Sequence, residues 1–156
     1  MKFSIITVVK NDKDNLLISL NSLLSQTYKD FEYIIYDGMS TDGTKSLIKK
    51  YLNKQIRYFC RKDRNYYDGL NKAIKLAKGE YIGILNAGDT YFDKNTLKKI
   101  FKKLNLKKSD ILFGKLKYLN NRNKVNRVWD YRIRILNKIN ALKIPSPTLF
   151  IKKKIL

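Results

Sequence analysis

Gly79–Asp89 reads GEYIGILNAGD, and the fold turns on it. Tyr81-Ile82-Gly83-Ile84-Leu85 is short, almost wholly apolar and flanked by glycines, which predicts a strand buried on both faces as in a parallel sheet. The run stops at Asn86-Ala87-Gly88-Asp89, small or flexible residues followed by a carboxylate. Ligands of open α/β sheets sit outside the carboxyl ends of the strands. An Asp delivered there suits a hard metal ion bridging to phosphate oxygens. The same Asp89 can instead cap the helix expected over Lys94–Leu106, or shape a turn.

Working outward, the flanking segments alternate strand and helix. Phe3–Val9 (FSIITVV) is β-branched and apolar, and Asn11–Gln26 carries apolar residues at 16, 17, 20, 23 and 24, one stripe of an amphipathic helix with Asp12 or Asp14 near its start. Phe31–Tyr36 is a second strand, Thr44–Leu52 a helix, Ile56–Cys60 a third strand and Asp68–Lys78 a helix. The order β-α-β-α-β-α-β-α predicts an α/β fold, a mostly parallel sheet with helices on both faces and right-handed crossovers. Beyond Ser109 the pattern breaks up. Strand pieces surround Gly114, Val125–Tyr131 alternates like an edge hairpin, Arg132–Leu142 is compatible with a helix, and Thr148–Ile151 suggests a last short strand. A nucleotide-type half, residues 1–106, is followed by a smaller, irregular part of the same domain, residues 107–156.

Composition restricts the chemistry. The chain of 156 residues is 44% hydrophobic, enough for one domain with a core. No apolar run approaches the roughly 20 residues of a membrane span, and MKFSIITVV passes straight into Lys10-Asn11-Asp12, so it reads as a strand and not a leader. One cysteine, Cys60, excludes an internal disulfide and fits a reducing cytosol. The absence of histidine excludes His-based zinc sites, Ser-His-Asp triads and His bases. A net charge of +21, from 34 Lys+Arg against 13 Asp+Glu, favours anionic partners: nucleotides, nucleic acid or an acidic membrane surface. Lysine pairs such as Lys98-Lys99 and Lys102-Lys103 recur at helical spacing and read equally as a solvated face.

Asp37–Thr44 (DGMSTDGT) is the strongest local motif. A carboxylate at the end of a strand can accept hydrogen bonds from a nucleobase or ribose, the Gly/Ser-rich turn permits close approach, and Asp42 or Thr44 can cap the next helix. There is no GxGxxG after the first strand and no GxxxxGK[ST], so neither a dinucleotide site nor a P-loop is expected.

FSIITVVKND, YDGMSTDGT and DRNYYDGLNKAIKLAKGEYIGILNAGD together resemble the signature blocks of family 2 glycosyltransferases of the GT-A (Rossmann-like) fold, in order and in register over roughly the first 105 residues. The subset with the greatest similarity is bacterial and builds cell-surface polysaccharide. The resemblance implies that Thr7, Val9 and Asn11 line the nucleotide pocket and that Asp37 hydrogen-bonds the base, usually uracil, with Ser40 nearby. It places Asp63, Asp68 and Asn71 along the nucleotide and sugar. Asn86-Ala87-Gly88-Asp89 stands where the family carries its DXD-type motif, with Asn86 at the first acidic position, so Asp89 is the expected metal ligand for Mg²⁺ or Mn²⁺. Tyr66 and Tyr67 are candidates to touch donor or acceptor. The implied reaction is inverting transfer from a nucleotide sugar, UDP-linked, to a saccharide or lipid-linked acceptor, with a carboxylate base on the acceptor side.

For that base the acidic residues after Asp89 are Asp93, Asp110 and Asp130. Asp93 reads as a helix cap and Asp110 as a strand start, which leaves Asp130, beside Trp129. Ile144–Lys153 resembles the family's acceptor-side segment with Ser146 where a His usually stands. Members of the subset are longer, so a truncated chain, one needing a partner subunit, or an inactive nucleotide-binding homologue are alternatives to an active enzyme. A basic nucleic-acid-binding domain is the reading from another class, with no RRM, KH or helix-turn-helix pattern behind it; no nucleic acid is expected. The expected location is cytoplasmic, with Lys152–Lys154 suggesting peripheral contact with an anionic inner membrane face.

Overall fold

The computed structural model of the protein describes residues 1–120, 124–130 and 146–156. The chain runs β1 (Phe3–Val9), α1 (Lys13–Leu24), β2 (Phe31–Asp37), α2 (Thr44–Lys49), β3 (Ile56–Cys60), α3 (Tyr66–Leu76), β4 (Tyr81–Ile84), α4 (Thr96–Lys107), β5 (Ile111–Leu112), β6 (Leu116–Leu119), β7 (Val125–Trp129) and β8 (Phe150–Lys152). Single 3-10 turns occupy Ser146–Thr148 and Lys153–Ile155. The helix expected over residues 132–142 lies outside the described residues.

The main sheet has the order β3-β2-β1-β4-β8-β5. Its first four strands are parallel, with Val9 opposite Asp37 and Asp37 opposite Cys60. β8 then enters antiparallel to both β4 and β5. The sheet is therefore mostly parallel, as the alternation predicts, but its far side is completed by a strand from the irregular half. β4 is too short to hold an edge alone; Phe150 of β8 covers it, and a Cβ on Gly83 would lie 2.7 Å from the Phe150 ring. β6 and β7 form a separate two-stranded ribbon.

Strand parity sorts the core. Phe3, Ile5, Val9, Tyr33 and Ile35 face α1, α2 and α4 through Leu16, Leu20, Leu23, Ile48, Leu97 and Leu104. Ile6, Ile34, Tyr36 and Ile82 face α3 through Ala73 and Ala77. Both faces are covered, which is why these strands read as continuous apolar runs instead of alternating ones. Among the described residues no helix is long and apolar enough to cross a membrane.

α1 also carries a polar line. The Asn15 carbonyl accepts from the Gly88 amide, the Ser19 hydroxyl donates to the Asn86 carbonyl, and the Ser22 hydroxyl accepts from the Tyr91 amide. Gln26, 1% exposed, donates to the Asp93 carbonyl and accepts from the Leu97 amide. Positions 15, 19 and 22 fall on one face of α1, Gln26 continues the line just past the helix end, and together they hold residues 86–97 against α1.

Candidate active site

Because β1 to β4 are parallel, their carboxyl ends share one rim, and the segments after them meet there. β1 lies between β2 and β4, so Asp37 and the start of the residue 85–89 loop are two strand spacings apart, about 10 Å. That span suits a nucleoside diphosphate lying across the rim.

The β1 and β2 ends are stitched together. Asn11 has a left-handed φ of 52°; its amide donates to the Ser40 hydroxyl and its Oδ1 accepts from the Thr41 amide. Asp42 accepts from the Thr44 amide and hydroxyl at the start of α2 and from the Lys13 amide at the start of α1. The Thr44 hydroxyl is the main cause of an Asp42 carboxyl held below its usual range. Asp42 thus ties the starts of two helices together from just outside them, the cap positions themselves being Asp12 and Gly43.

Asp37 is fully buried. Its Oδ1 accepts from the Ser40 amide at 2.8 Å and the Ser40 hydroxyl at 2.6 Å, and its Oδ2 accepts from the Tyr58 hydroxyl. Burial, then the bond to Asp37, push the Tyr58 hydroxyl up. The sequence reading expects Thr7, Val9 and Asn11 to line the nucleotide pocket and Asp37, with Ser40 nearby, to bond the base. In the structure Thr7, also fully buried, is a brace between the Tyr33 hydroxyl at 2.7 Å and the Leu85 carbonyl, and Val9 packs in the core. Asn11 and Ser40 have surface at the rim.

Asp63 stands over the turn after β2. A Cβ on Gly38 would lie 2.6 Å from its Oδ2, and one on Gly69 would lie 3.2 Å away. Two glycines therefore make the space in which this carboxylate sits. Asp68 is different: it accepts from the Arg64 amide and from Lys72 Nζ at 2.7 Å, and the Lys72 bond is the largest cause of its lowered pKa. It secures the start of α3, whose first free amides are also served by the Asn65 side chain. Asn71 is exposed on α3.

Residues 86–89 form a tight turn in which the Asp89 amide donates to the Asn86 carbonyl and Gly88 adopts φ 87°, a conformation that favours glycine. Asn86 Nδ2 donates to Asp89 Oδ2 at 3.1 Å, while its Oδ1 accepts from the Tyr66 hydroxyl at 2.7 Å. Tyr66 thus ties α3 to the end of β4, across the cleft. Burial raises the Asp89 carboxyl, opposed by the bonds from Asn86. Burial, with Tyr67 and Asp89 nearby, likewise raises the Tyr66 hydroxyl. Ala87 is half-buried in the turn.

No group of three His, Cys, Asp or Glu able to hold a metal occurs among the described residues. Asp89 stands alone, and a lone carboxylate fits a Mg²⁺-like ion that takes its remaining ligands from phosphates and water. Asp130 ends the β6–β7 ribbon and pairs with Lys115 at 2.6 Å. Asp93 bonds the Asn95 amide in the turn before α4 and pairs with Lys99; the cap position of α4 itself is Asn95 and not Asp93. Asp110 precedes β5 and pairs with Lys152.

The sequence reading missed Tyr58 and the anchoring of residues 86–97 by α1. The polar residues at 15, 19, 22 and 26, spaced three and four apart along one side of α1 and its continuation, are a signal that could have found the second.

The sequence matches the profile of glycosyl transferase family 2 over residues 4–153. This chain belongs to that family. It is 44% identical over 90 residues to UDP-Glc:alpha-D-GlcNAc-diphosphoundecaprenol beta-1,3-glucosyltransferase WfaP of Escherichia coli, covering 55% of this chain and 35% of that protein. It is 35% identical over 129 residues to the poly(ribitol-phosphate) beta-glucosyltransferase of Bacillus spizizenii, covering 78% of this chain and 20% of that one. The crystal structure of S. aureus TarS 1-349 in complex with UDP-GlcNAc superposes with a TM-score of 0.81 at 29% identity, covering 100% of this chain and 46% of that chain. The family 2 chain described here spans less than half the length of each of these relatives.

Proposed function

We propose that this family 2 chain binds a UDP-sugar across the rim of β1 to β4 and takes part in its transfer, with inversion, to a saccharide or lipid-linked acceptor in cell-surface polysaccharide synthesis. The observation that carries this reading is Asp89: a half-buried carboxylate, presented by a strand end and a tight turn, bonded by a neutral amide. The other carboxylates around it are engaged, Asp37 by Ser40 and Tyr58 and Asp68 by Lys72. The names of WfaP and of the TarS complex, which specify UDP-Glc and UDP-GlcNAc, support UDP as the nucleotide.

In the reaction the bond between the anomeric carbon and the diphosphate oxygen breaks, its electrons leaving with UDP. The acceptor oxygen bonds to that carbon from the opposite face and its proton passes to a base. Asp89 would hold a Mg²⁺ or Mn²⁺ ion, and such an ion would supply stabilisation of the leaving charge, of the order of several kcal/mol. Asp37 keeps the 37–40 turn in shape beneath the base, and Asn11 and Ser40 present polar atoms to the nucleoside. Asp63, bounded by Gly38 and Gly69, faces the nucleotide from the third strand, and Asn71 borders the sugar from α3. Asp130 is the candidate base, and to act it must leave Lys115.

The Asp130–Lys115 pair, with the chain's short span against its relatives, favours a second reading: a donor-binding piece that does not turn over alone. UDP with Mn²⁺ is expected to raise the melting temperature, the stabilisation being about 2.7 kcal/mol at a hundredfold excess over Kd. Asp89→Ala is expected to abolish the rise. An unchanged response in that variant refutes the site, whereas donor hydrolysis or transfer above background by the isolated chain eliminates the second reading.

Peripheral contact with an anionic inner membrane face, from a cytoplasmic location, is also proposed. Lys152 and Lys154 pair with Asp110, and Lys153 donates to the Ala77 carbonyl, so the support moves from that tail to the lysines of α4 and the overall charge. Flotation with vesicles that shows no preference for anionic over neutral lipid removes this reading.

A further inference from the structure

Asn86 is held from two sides. Its main chain is fixed from α1 and from its own turn: the Ser19 hydroxyl and the Asp89 amide both donate to its carbonyl, and the nearby Gly88 amide donates to the Asn15 carbonyl. Its side chain is fixed from α3, where the Tyr66 hydroxyl donates to Oδ1 at 2.7 Å. The Tyr66 ring is steadied in turn by an edge-on contact with Tyr67, with 5.4 Å between centroids and 82° between planes. An asparagine amide has one accepting and one donating end, and its last torsion has two broad orientations. Tyr66 selects between them. With Oδ1 engaged by the hydroxyl, Nδ2 is turned to Asp89, where it donates to Oδ2 at 3.1 Å.

The Asp89 carboxylate has little else to aim it. Among the described residues no salt bridge and no second side-chain hydrogen bond reaches it, and Oδ1 is left without a partner. Its far side opens on a cavity of about 830 Å³, whose lining includes Ile100 of α4, Leu112 of β5 and Leu116 of the ribbon. No buttress comes from there. The direction of this carboxylate is therefore set through one amide by a hydroxyl on a different element.

We propose that Tyr66 is a positioning residue for the metal–diphosphate end of the donor site: through the Asn86 amide it pins Asp89 Oδ2 and so presents Oδ1 to the divalent ion. The proposal rests on the donor-site reading above and names what aims its carboxylate. In this role Tyr66 touches neither ion nor sugar. A carboxylate free to turn loses that freedom when the ion binds, whereas one already held does not. Partners that orient a ligating group are accordingly worth about 10- to 100-fold in metal affinity.

The test is calorimetric titration of the full chain with UDP, once with Mn²⁺ and once with EDTA, because the ratio of the two affinities isolates the ion's share. Tyr66→Phe keeps the ring and its contact with Tyr67 and removes only the hydroxyl. The expected result is an affinity with Mn²⁺ reduced about tenfold, with the affinity in EDTA held within about twofold. A merely structural tie between α3 and the end of β4 would lower both affinities together and leave their ratio unchanged. Asn86→Ala should reproduce the loss, and adding Tyr66→Phe to it should cost nothing further, as for two groups acting through one bond. An unchanged ratio in Tyr66→Phe, or additive losses in the double variant, overturns the proposal while the parent's gain from Mn²⁺ keeps the donor reading intact. Failure of the donor reading looks different: the parent itself then gains no UDP affinity from Mn²⁺, and the role of Tyr66 falls with it.

Discussion

The two sides of Asp89 are built differently. On the donor side, four parallel strands, three helices and a network of turn hydrogen bonds converge, and buried polar atoms such as those of Asp37, Thr7 and Gln26 are satisfied within the chain. On the cavity side stands a two-stranded ribbon with Tyr118, Leu119, Val125 and Val128 exposed. A ribbon of two strands is marginal by itself. The contrast separates a pre-formed strand-end platform, where the donor site is proposed, from a ribbon wall that depends on what lies against it.

Core truncation sets the scale of that contrast. Leu20→Ala, on α1 under the sheet, is expected to lower stability by about 2–5 kcal/mol, against less than about 0.5 for Val128→Ala on the ribbon. Denaturant melts of both variants check it, and equal losses would erase the distinction.

Glu32 tests the far edge of the same platform. It is 2% exposed and accepts from Ser4, Arg57 and the Lys78 amide. Burial pushes its carboxyl up, but those bonds together bring it below the ordinary value of 4.5. A depressed folded pKa contributes stability that is full above the unfolded value and disappears as pH falls through the folded one. Stability should therefore decline below about pH 4.5. Glu32→Gln should flatten that limb and lower stability at pH 7 by about 1–3 kcal/mol, as thermal melts across pH 2.5–7 will show.

Gln26→Ala strands the Asp93 carbonyl and the Leu97 amide. It should lower stability by about 1–3 kcal/mol and weaken the UDP-dependent rise in melting temperature by loosening residues 86–97. A full UDP response in that variant would detach the α1 contacts from the site.

The smallest effect expected is at Tyr91, whose hydroxyl is, among the described residues, the one buried side-chain polar atom without a hydrogen-bond partner. Tyr91→Phe removes a desolvated group and should leave stability unchanged or raise it by up to about 1 kcal/mol. A loss of more than that would mean the hydroxyl is satisfied by water.

Much of the platform was legible because it is local. Phe3–Val9 and Ile56–Cys60 match their strands residue for residue, since buried β-branched runs between polar turns allow little else. The position of β8 was not legible: the Phe150 segment reads as a strand, but its insertion between β4 and β5 is a pairing across some 70 residues that no periodicity encodes. Asp37 shows a second limit. A carboxylate after a strand looks the same in sequence whatever it bonds, and its partner Tyr58, 21 residues on, is not marked there. The glycines around Asp63 were visible as letters, not as the space they leave.

The line of Asn15, Ser19, Ser22 and Gln26 has a mechanical consequence. It clamps the Asp89 segment at three stations to a helix whose other face is locked into the core by Leu16, Leu20 and Leu23, with Gln26 adding a fourth just past the helix end. One jaw of the cleft is therefore fixed by the core itself, and the Asp89 carboxylate keeps its height over the rim whatever lies beside it.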